Sequence, residues 1–246
     1  MQTIRVERDD QLAGLTTITL NRPEKLNAIN REMHEELQQA CIALQTDAAT
    51  RVVIFTGEGR AFSAGADRSH PRTLDADPLK MRIQSGIGNR TCAAIEALDQ
   101  VTIGAVNGLA VGGAVVFLAC MDLRLAAEDA WFSIPEIDLN IPLTWNALPR
   151  IMRELGPART KELVMLGERF SSRRAETWGL VNHVVPAGQS LTRARDQAAK
   201  LLAKDPLSLS LTKTTCRALA ETMVPSASTH ADREYLTLPL IANRKP

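Results

Sequence analysis

Three stretches of the 246-residue chain carry residue types that can do chemistry. The first is Val101-Thr-Ile-Gly-Ala-Val-Asn107-Gly108-Leu-Ala-Val-Gly112-Gly113, which runs into the apolar segment 114–121. A strand at 101–106 punctuated by Asn-Gly, then a helix apolar on every side, predicts a buried strand-to-helix turn. The free N–H groups at a helix start, and glycines that let a ligand approach the backbone, suit an anion or an oxygen that becomes one. The second stretch, Ala61-Phe-Ser63-Ala64-Gly65-Ala66-Asp67, follows the β-type run 51–56 and reads as another strand–glycine–helix turn. One such turn is most simply a tight core connection. Two in one domain can aim two backbone N–H donors at one oxygen, the geometry of an oxyanion hole. The third is Pro135-Glu136-Ile137-Asp138, a proline-bracketed loop that carries two carboxylates.

These turns need strands and helices to hold them. Residues 3–8 and 15–20 read as strands, and Asn30 as the N-cap of a helix over 31–46. A loop is expected at 69–78 and one helix at 79–97; short strands follow at 122–126 and 131–134. Helical patterns return at 144–155, 157–166 and 172–178, with a last strand at 180–185 and two helices at 188–203 and 206–222. Strands alternating with helices predict an α/β fold with mostly parallel pairing. The expected boundary separates a core over 1–187 from a helical C-terminal region over 188–246.

Composition narrows the function. Hydrophobic content of 45%, charged content of 23% and a formal net charge of +1 are those of a globular protein without a surface built for nucleic acid. No apolar run reaches the ~18 residues of a membrane span, and the N-terminus reads as a strand, so a cytoplasmic location is expected. Four scattered cysteines, Cys41, Cys92, Cys120 and Cys216, read as reduced and mostly buried. The histidines His34, His70, His183 and His230 have no metal-ligand spacing, so no metal site is expected. The arginines Arg150, Arg153 and Arg159 read as a solvated helix face.

Five motifs in order carry a resemblance: Asn21-Arg-Pro-Glu-Lys-Leu-Asn-Ala28, Ala61-Phe-Ser-Ala-Gly-Ala-Asp67, Ala105-Val-Asn-Gly-Leu-Ala-Val-Gly-Gly113, Phe132-Ser-Ile-Pro-Glu136 and Gly179-Leu-Val-Asn-His-Val-Val185. Together they resemble the crotonase superfamily, the enoyl-CoA hydratase/isomerase family. The resemblance implies a spiral of ββα units, assembled as a homotrimer or dimer of trimers and acting on acyl-CoA thioesters. CoA would enter as part of the substrate, with no separate cofactor. The thioester oxygen would sit between the N–H groups of Ala66 and Gly113. CoA would lie along Lys25, Leu26, Ala28, Ala64, Asp67 and Arg68, with Lys25 and Arg68 facing its phosphates.

Family hydratases carry two glutamates twenty positions apart. The second corresponds to Glu136, and twenty residues earlier stands Val116. Hydration needs a water held and deprotonated as well as a proton for the α-carbon, work that two carboxylates divide. A single Glu136, its pKa expected to rise in an apolar pocket, instead suits Δ3,Δ2-enoyl-CoA isomerisation. Asp138 is a substitute second acid if 136–138 is extended, which would turn both side chains the same way. Val116, Asp138 and Trp145 are candidate acyl-pocket residues, although Trp145 reads first as interhelical packing. The alternatives are a hydratase with a substitute acid, a specialised hydrolase or decarboxylase of the same fold, and a non-catalytic acyl-CoA-binding protein. The C-terminal tail, interrupted by prolines, breaks the family pattern of a helix that covers CoA.

Overall fold

The computed structural model describes residues 1–69, 77–229 and 232–235. The expected loop at 69–78 lies mostly outside them, as do His70 and His230. The chain opens with the antiparallel hairpin β1 (Ile4–Arg8) and β2 (Leu15–Leu20), followed by helix α1 (Arg31–Gln45). Asn30 caps α1 as expected, its side chain accepting the Met33 N–H at 2.9 Å. Next come β3 (Val52–Gly57), β4 (Ala61–Ser63), α2 (Pro78–Ser85) and α3 (Ile87–Glu96). The organising stretch forms β5 (Val101–Val106), β6 (Leu109–Val111) and α4 (Gly113–Ala119). Strands β7 (Leu123–Ala127) and β8 (Trp131–Ser133) lead to α5 (Ala147–Leu166), β9 (Phe170–Ser171), α6 (Ser172–Trp178) and β10 (His183–Val185). The described chain finishes with α7 (Ser190–Leu202), α8 (Pro206–Met223) and α9 (Asp232–Tyr235).

The strands divide between two sheets. The larger runs β1-β2-β3-β5-β7-β10, parallel after the first pair; the smaller runs β4-β6-β8-β9. Each of the pairs β3/β4, β5/β6 and β7/β8 gives its first strand to the large sheet and its second to the small one. A helix follows each pair, so the fold is α/β with repeated ββα units. Strand β3 is buried along its whole length, as a parallel strand covered on both faces must be. On one face Val53 and Phe55 join the core beneath α1 and α4; on the other, Ile54 and Ile103 meet Ala194 and Ala198 of α7.

The single helix expected over 79–97 is two. Gly86 sits at φ −79°, ψ −1° between α2 and α3, and a Cβ there would meet the Arg233 side chain at 2.8 Å. The helices expected at either side of residue 156 do break there: Gly156 takes φ +72°, ψ 169°, ahead of Pro157. The strand expected over 180–185 is held by pairing only over His183–Val185.

Candidate active site

A cleft of about 670 Å³ opens between the two glycine turns and the segment from Pro135 to Trp145. Asn107 fixes the approach: its Nδ2 donates to the carbonyls of Gly57 at 2.9 Å and Gly59 at 2.8 Å. The Gly112 N–H then donates to the Ser133 carbonyl at 2.8 Å, tying the second turn to β8. Gly112 lies at φ +55°, ψ −119°, backbone that favours glycine, and a Cβ there would stand 2.4 Å from Glu136 Oε1. Gly113 opens α4, and the first N–H of a helix has no acceptor within it.

The other turn abuts this one. A Cβ on Gly65 would lie 2.4 Å from the Val111 carbonyl and 3.6 Å from the Gly113 nitrogen. The first turn does not run into a helix as expected. Gly65 bends the chain at φ +81°, and Ala66 just beyond it forms a parallel bridge with Ile29. Ile29 donates to Gly65 O at 2.8 Å and accepts from Asp67 N at 2.9 Å. That pairing consumes the groups flanking Ala66 and turns the Ala66 N–H to the opposite side, because backbone groups alternate along a strand. The Ala66 N–H therefore belongs to an isolated bridge, and the Gly113 N–H to a helix start.

Side chains hold this join. Asn27 is fully buried: its Oδ1 accepts the Arg22 N–H at 2.9 Å, and its Nδ2 donates to Glu58 O at 2.9 Å and Ala61 O at 2.8 Å. Ser63 Oγ donates to Asn27 O at 2.7 Å and accepts the Gly65 N–H at 3.1 Å. Arg22 Nη1 reaches Ala28 O at 2.6 Å and Asp67 Oδ2 at 2.7 Å. Burial alone would raise the Asp67 pKa, but hydrogen bonding from Ser69 and the Arg22 guanidinium outweigh it and bring it down to about 2. Asp67 is thus an ionised strut under the first turn. Arg22, Asn27 and Ser63 sit inside the resembling motifs, yet sequence reasoning assigned them no role, and it marked Asp67 only as a CoA contact. Their signal was two asparagines and a serine beside glycine turns, residue types that bond to nearby backbone.

Glu136 lies in a 3-10 helix, Pro135–Leu139, with its carboxylate over Gly112. Val116, fully buried, also lines the cleft and offers no polar atom. Because 136–138 is helical rather than extended, the expectation that Glu136 and Asp138 face the same way fails. Successive residues of a 3-10 turn are rotated by about 120°. Asp138 instead points toward Gly167, where a Cβ would lie 3.0 Å from its Oδ2.

Trp145 is packed and also borders the cleft. Its ring stacks on Phe117 at 5.6 Å and takes His34 edge-on at 4.9 Å. His34 is buried and shares a 2.8 Å hydrogen bond with Thr91 Oγ1. Of the three arginines expected on a solvated face, Arg159 is exposed, but Arg150 and Arg153 are drawn inward. Arg150 is 3% exposed and forks onto Glu96 at 2.9 and 2.6 Å, and Arg153 bonds Glu221 and the Val224 carbonyl. Arg159 reaches the Trp178 carbonyl at 3.0 Å. An arginine can cross the surface layer when a carboxylate and carbonyls meet its fork.

Of the anticipated contact residues, Ala64, Ala66, Asp67, Arg68, Gly113, Val116, Glu136, Asp138 and Trp145 all line the cleft. Arg68 is exposed at its mouth. Leu26 and Ala28 stand behind the first turn, Leu26 O accepting the Ala64 N–H at 2.8 Å, and Lys25 is exposed beside them. A second groove of about 640 Å³, near β1 and the start of α7, is lined by charged groups already joined in pairs, Arg5 with Glu58 and Arg195 with Asp9. Among the described residues no cluster of three or more metal-ligating side chains occurs, and no helix is long and apolar enough to cross a membrane.

The family model "Enoyl-CoA hydratase/isomerase" matches residues 10–240. A crotonyl-CoA hydratase from Syntrophomonas wolfei is 33% identical over 213 residues, 86% of this chain and 80% of that one. A crystal structure of enoyl-CoA hydratase from Bacillus anthracis superposes with a TM-score of 0.83 at 30% identity, covering 99% of this chain and 92% of the other. A monofunctional enoyl-CoA isomerase from M. smegmatis superposes with a TM-score of 0.75 at 26% identity, covering 90% and 95%.

Proposed function

The chain belongs to the enoyl-CoA hydratase/isomerase family and is an acyl-CoA-processing enzyme of it, and from that premise we propose that it works by single-base enolate chemistry. The thioester oxygen lies between the Ala66 and Gly113 N–H groups, and Glu136 is the base. For a 3-enoyl-CoA, Glu136 takes a proton from the α-carbon and the electron pair moves into a dienolate held by the two donors. The same carboxylic acid then gives its proton to the γ-carbon, which completes a Δ3,Δ2 isomerisation. Each oxyanion donor is typically worth about 2.7–4 kcal/mol in the transition state. The observation that carries this reading is the pairing of Glu136, set over Gly112, with apolar Val116 in the same cleft. Exposed Lys25 and Arg68 are the proposed contacts for CoA phosphates.

Hydration of a 2-enoyl-CoA is the second reading, favoured by the names of two of the relatives above. It needs another group to hold the water, and Asp138 is the candidate in the cleft. Leu207, Leu211, Leu219 and Met223 leave an exposed apolar face on α8, which supports self-association as a homotrimer or dimer of trimers. A cytoplasmic enzyme is part of the same reading.

The test is a paired turnover assay. Purified protein is given a 3-enoyl-CoA and, separately, a 2-enoyl-CoA, with conjugated-thioester absorbance followed and Glu136→Gln as control. The isomerase reading expects conjugation gained from the first, little lost from the second, and neither in the variant. Rapid loss of conjugation from the 2-enoyl substrate overturns it in favour of hydration.

A further inference from the structure

Trp145 stands where an acyl chain leaving the oxyanion turn would extend, and we propose that its indole makes this a short-chain acyl site, with Arg150 and Asp232 as the residues that position it. The inference rests on the acyl-CoA reading above and adds the substrate class.

Two glycines make room for the indole. A Cβ on Gly88 of α3 would lie 2.3 Å from Trp145 Cγ, Cδ2 and Cε2, and one on Gly113 would lie 2.1 Å from Cζ3. The ring is therefore wedged between α3 and the residue that supplies an oxyanion donor. Phe117 backs it and His34 closes its edge, so it cannot swing aside without displacing buried neighbours. On the cleft side Val116 and Leu143 stand beside it. A chain of many carbons pointing inward from the thioester meets this wall, whereas a chain of a few carbons ends before it.

The backbone under the ring is unusual. Trp145 and Asn146 are consecutive left-handed residues, at φ +66° and +55°, a conformation that non-glycine residues enter at a cost. Two side chains hold them there, one from the next turn of chain and one from far along it. Arg150 Nη1 donates to Trp145 O at 2.8 Å and Asn146 O at 3.0 Å, while its fork is fixed by Glu96. From α9, Asp232 Oδ2 accepts the Asn146 N–H at 3.0 Å, and Asp232 is 8% exposed. The C-terminal segment thus reaches the acyl end of the cleft within its own chain. Arg153 guides it there by holding the Val224 carbonyl at 3.0 Å and Ser226 Oγ at 2.6 Å. A tryptophan that only filled space would need neither strained backbone nor two anchors.

Isothermal titration calorimetry with butanoyl-CoA and decanoyl-CoA, both saturated, tests the proposal. Wild type is expected to bind butanoyl-CoA at least tenfold more tightly than decanoyl-CoA. Trp145→Ala should erase that ratio, mainly by tightening decanoyl-CoA. Asp232→Ala should move the ratio the same way by about threefold, and Asp232→Asn, which keeps an acceptor, should restore it. Circular dichroism reports folding, and if Trp145→Ala does not fold, Trp145→Leu carries the test with a smaller shift. Equal affinities in wild type, or a ratio unmoved in the folded Trp145 variant, would overturn the proposal while leaving the acyl-CoA reading intact. Failure of folded wild type to bind either thioester would overturn both.

Discussion

The two sheets of this protein are held by different means. Strands β2, β3 and β5 of the large sheet run six residues each and are buried along almost their whole length, with Ile54 and Ile103 packed in an apolar cluster with α7. Strands β4, β6 and β8 of the small sheet run three residues, too short for pairing alone to fix their register. There the backbone is set by Asn27, Ser63, Asn107 and Arg22, each reaching carbonyls or N–H groups of the turns. The small sheet is the one that carries the cleft. An apolar sheet tolerates shifts of its neighbours by repacking, whereas a pair of N–H donors on one oxygen does not. Directional bonds are therefore added to burial around the cleft.

If that contrast holds, substitutions in the two regions should separate activity from stability. Glu136→Gln should show the largest effect, a fall in kcat of roughly 10²–10⁴ with the melting temperature nearly unchanged, read by steady-state kinetics and calorimetry. Gly65→Ala should come next. Its Cβ would meet the Val111 carbonyl at 2.4 Å and part the turns, lowering kcat by roughly 10²–10³, the loss expected for one oxyanion donor. Asn27→Ala removes the bonds to Glu58 O and Ala61 O, and should cost about 1–3 kcal/mol in chemical denaturation together with about tenfold in kcat. Ile54→Val is the counterpart in the large sheet, expected to cost about 0.5–1.5 kcal/mol and leave kcat/KM unchanged. A kcat loss from Ile54→Val equal to that from Asn27→Ala would erase the distinction.

The smallest effect is a pH dependence. Asp67 titrates near 2 in the fold against an ordinary 3.8, so the folded state holds its proton less tightly than the unfolded one. Its stabilising contribution is therefore complete above the ordinary value and is lost as pH falls from about 4 to about 2. Urea midpoints measured from pH 6 to 2 should fall less steeply for Asp67→Asn than for wild type. Parallel curves would remove Asp67 as a strut.

The same division explains what could be read from the sequence. The long strands, α1 with its Asn30 cap and the apolar α4 announce themselves through burial periodicity and capping chemistry. The α/β class and the repeated units follow from their order. Of the three-residue strands of the small sheet, β8 was legible at 131–134, whereas β4 and β6 carry too little pattern and lie inside what read as turns. Gly65, Gly112 and Gly113 were legible as positions of close approach, and a Cβ on them would meet Val111, Glu136 and Trp145. The bridge at Ala66 was not, since it depends on pairing with Ile29, thirty-seven positions earlier in the chain. The facing of Asp138 depended on extended backbone within the loop at 136–138, and Pro135 begins a 3-10 turn there instead. Arg150 was misread because a buried guanidinium depends on partners such as Glu96 that are remote in sequence.

The central claim is that Glu136 removes an α-proton from a thioester whose oxygen rests on the two turns. Proton exchange tests it without regard to whether the enzyme isomerises or hydrates. Butanoyl-CoA would be incubated with the protein in D2O and deuterium at its α-carbon followed by NMR. The account predicts exchange catalysed by wild type and slowed at least about a hundredfold by Glu136→Gln. Equal exchange by both proteins would contradict it and remove Glu136 as the base.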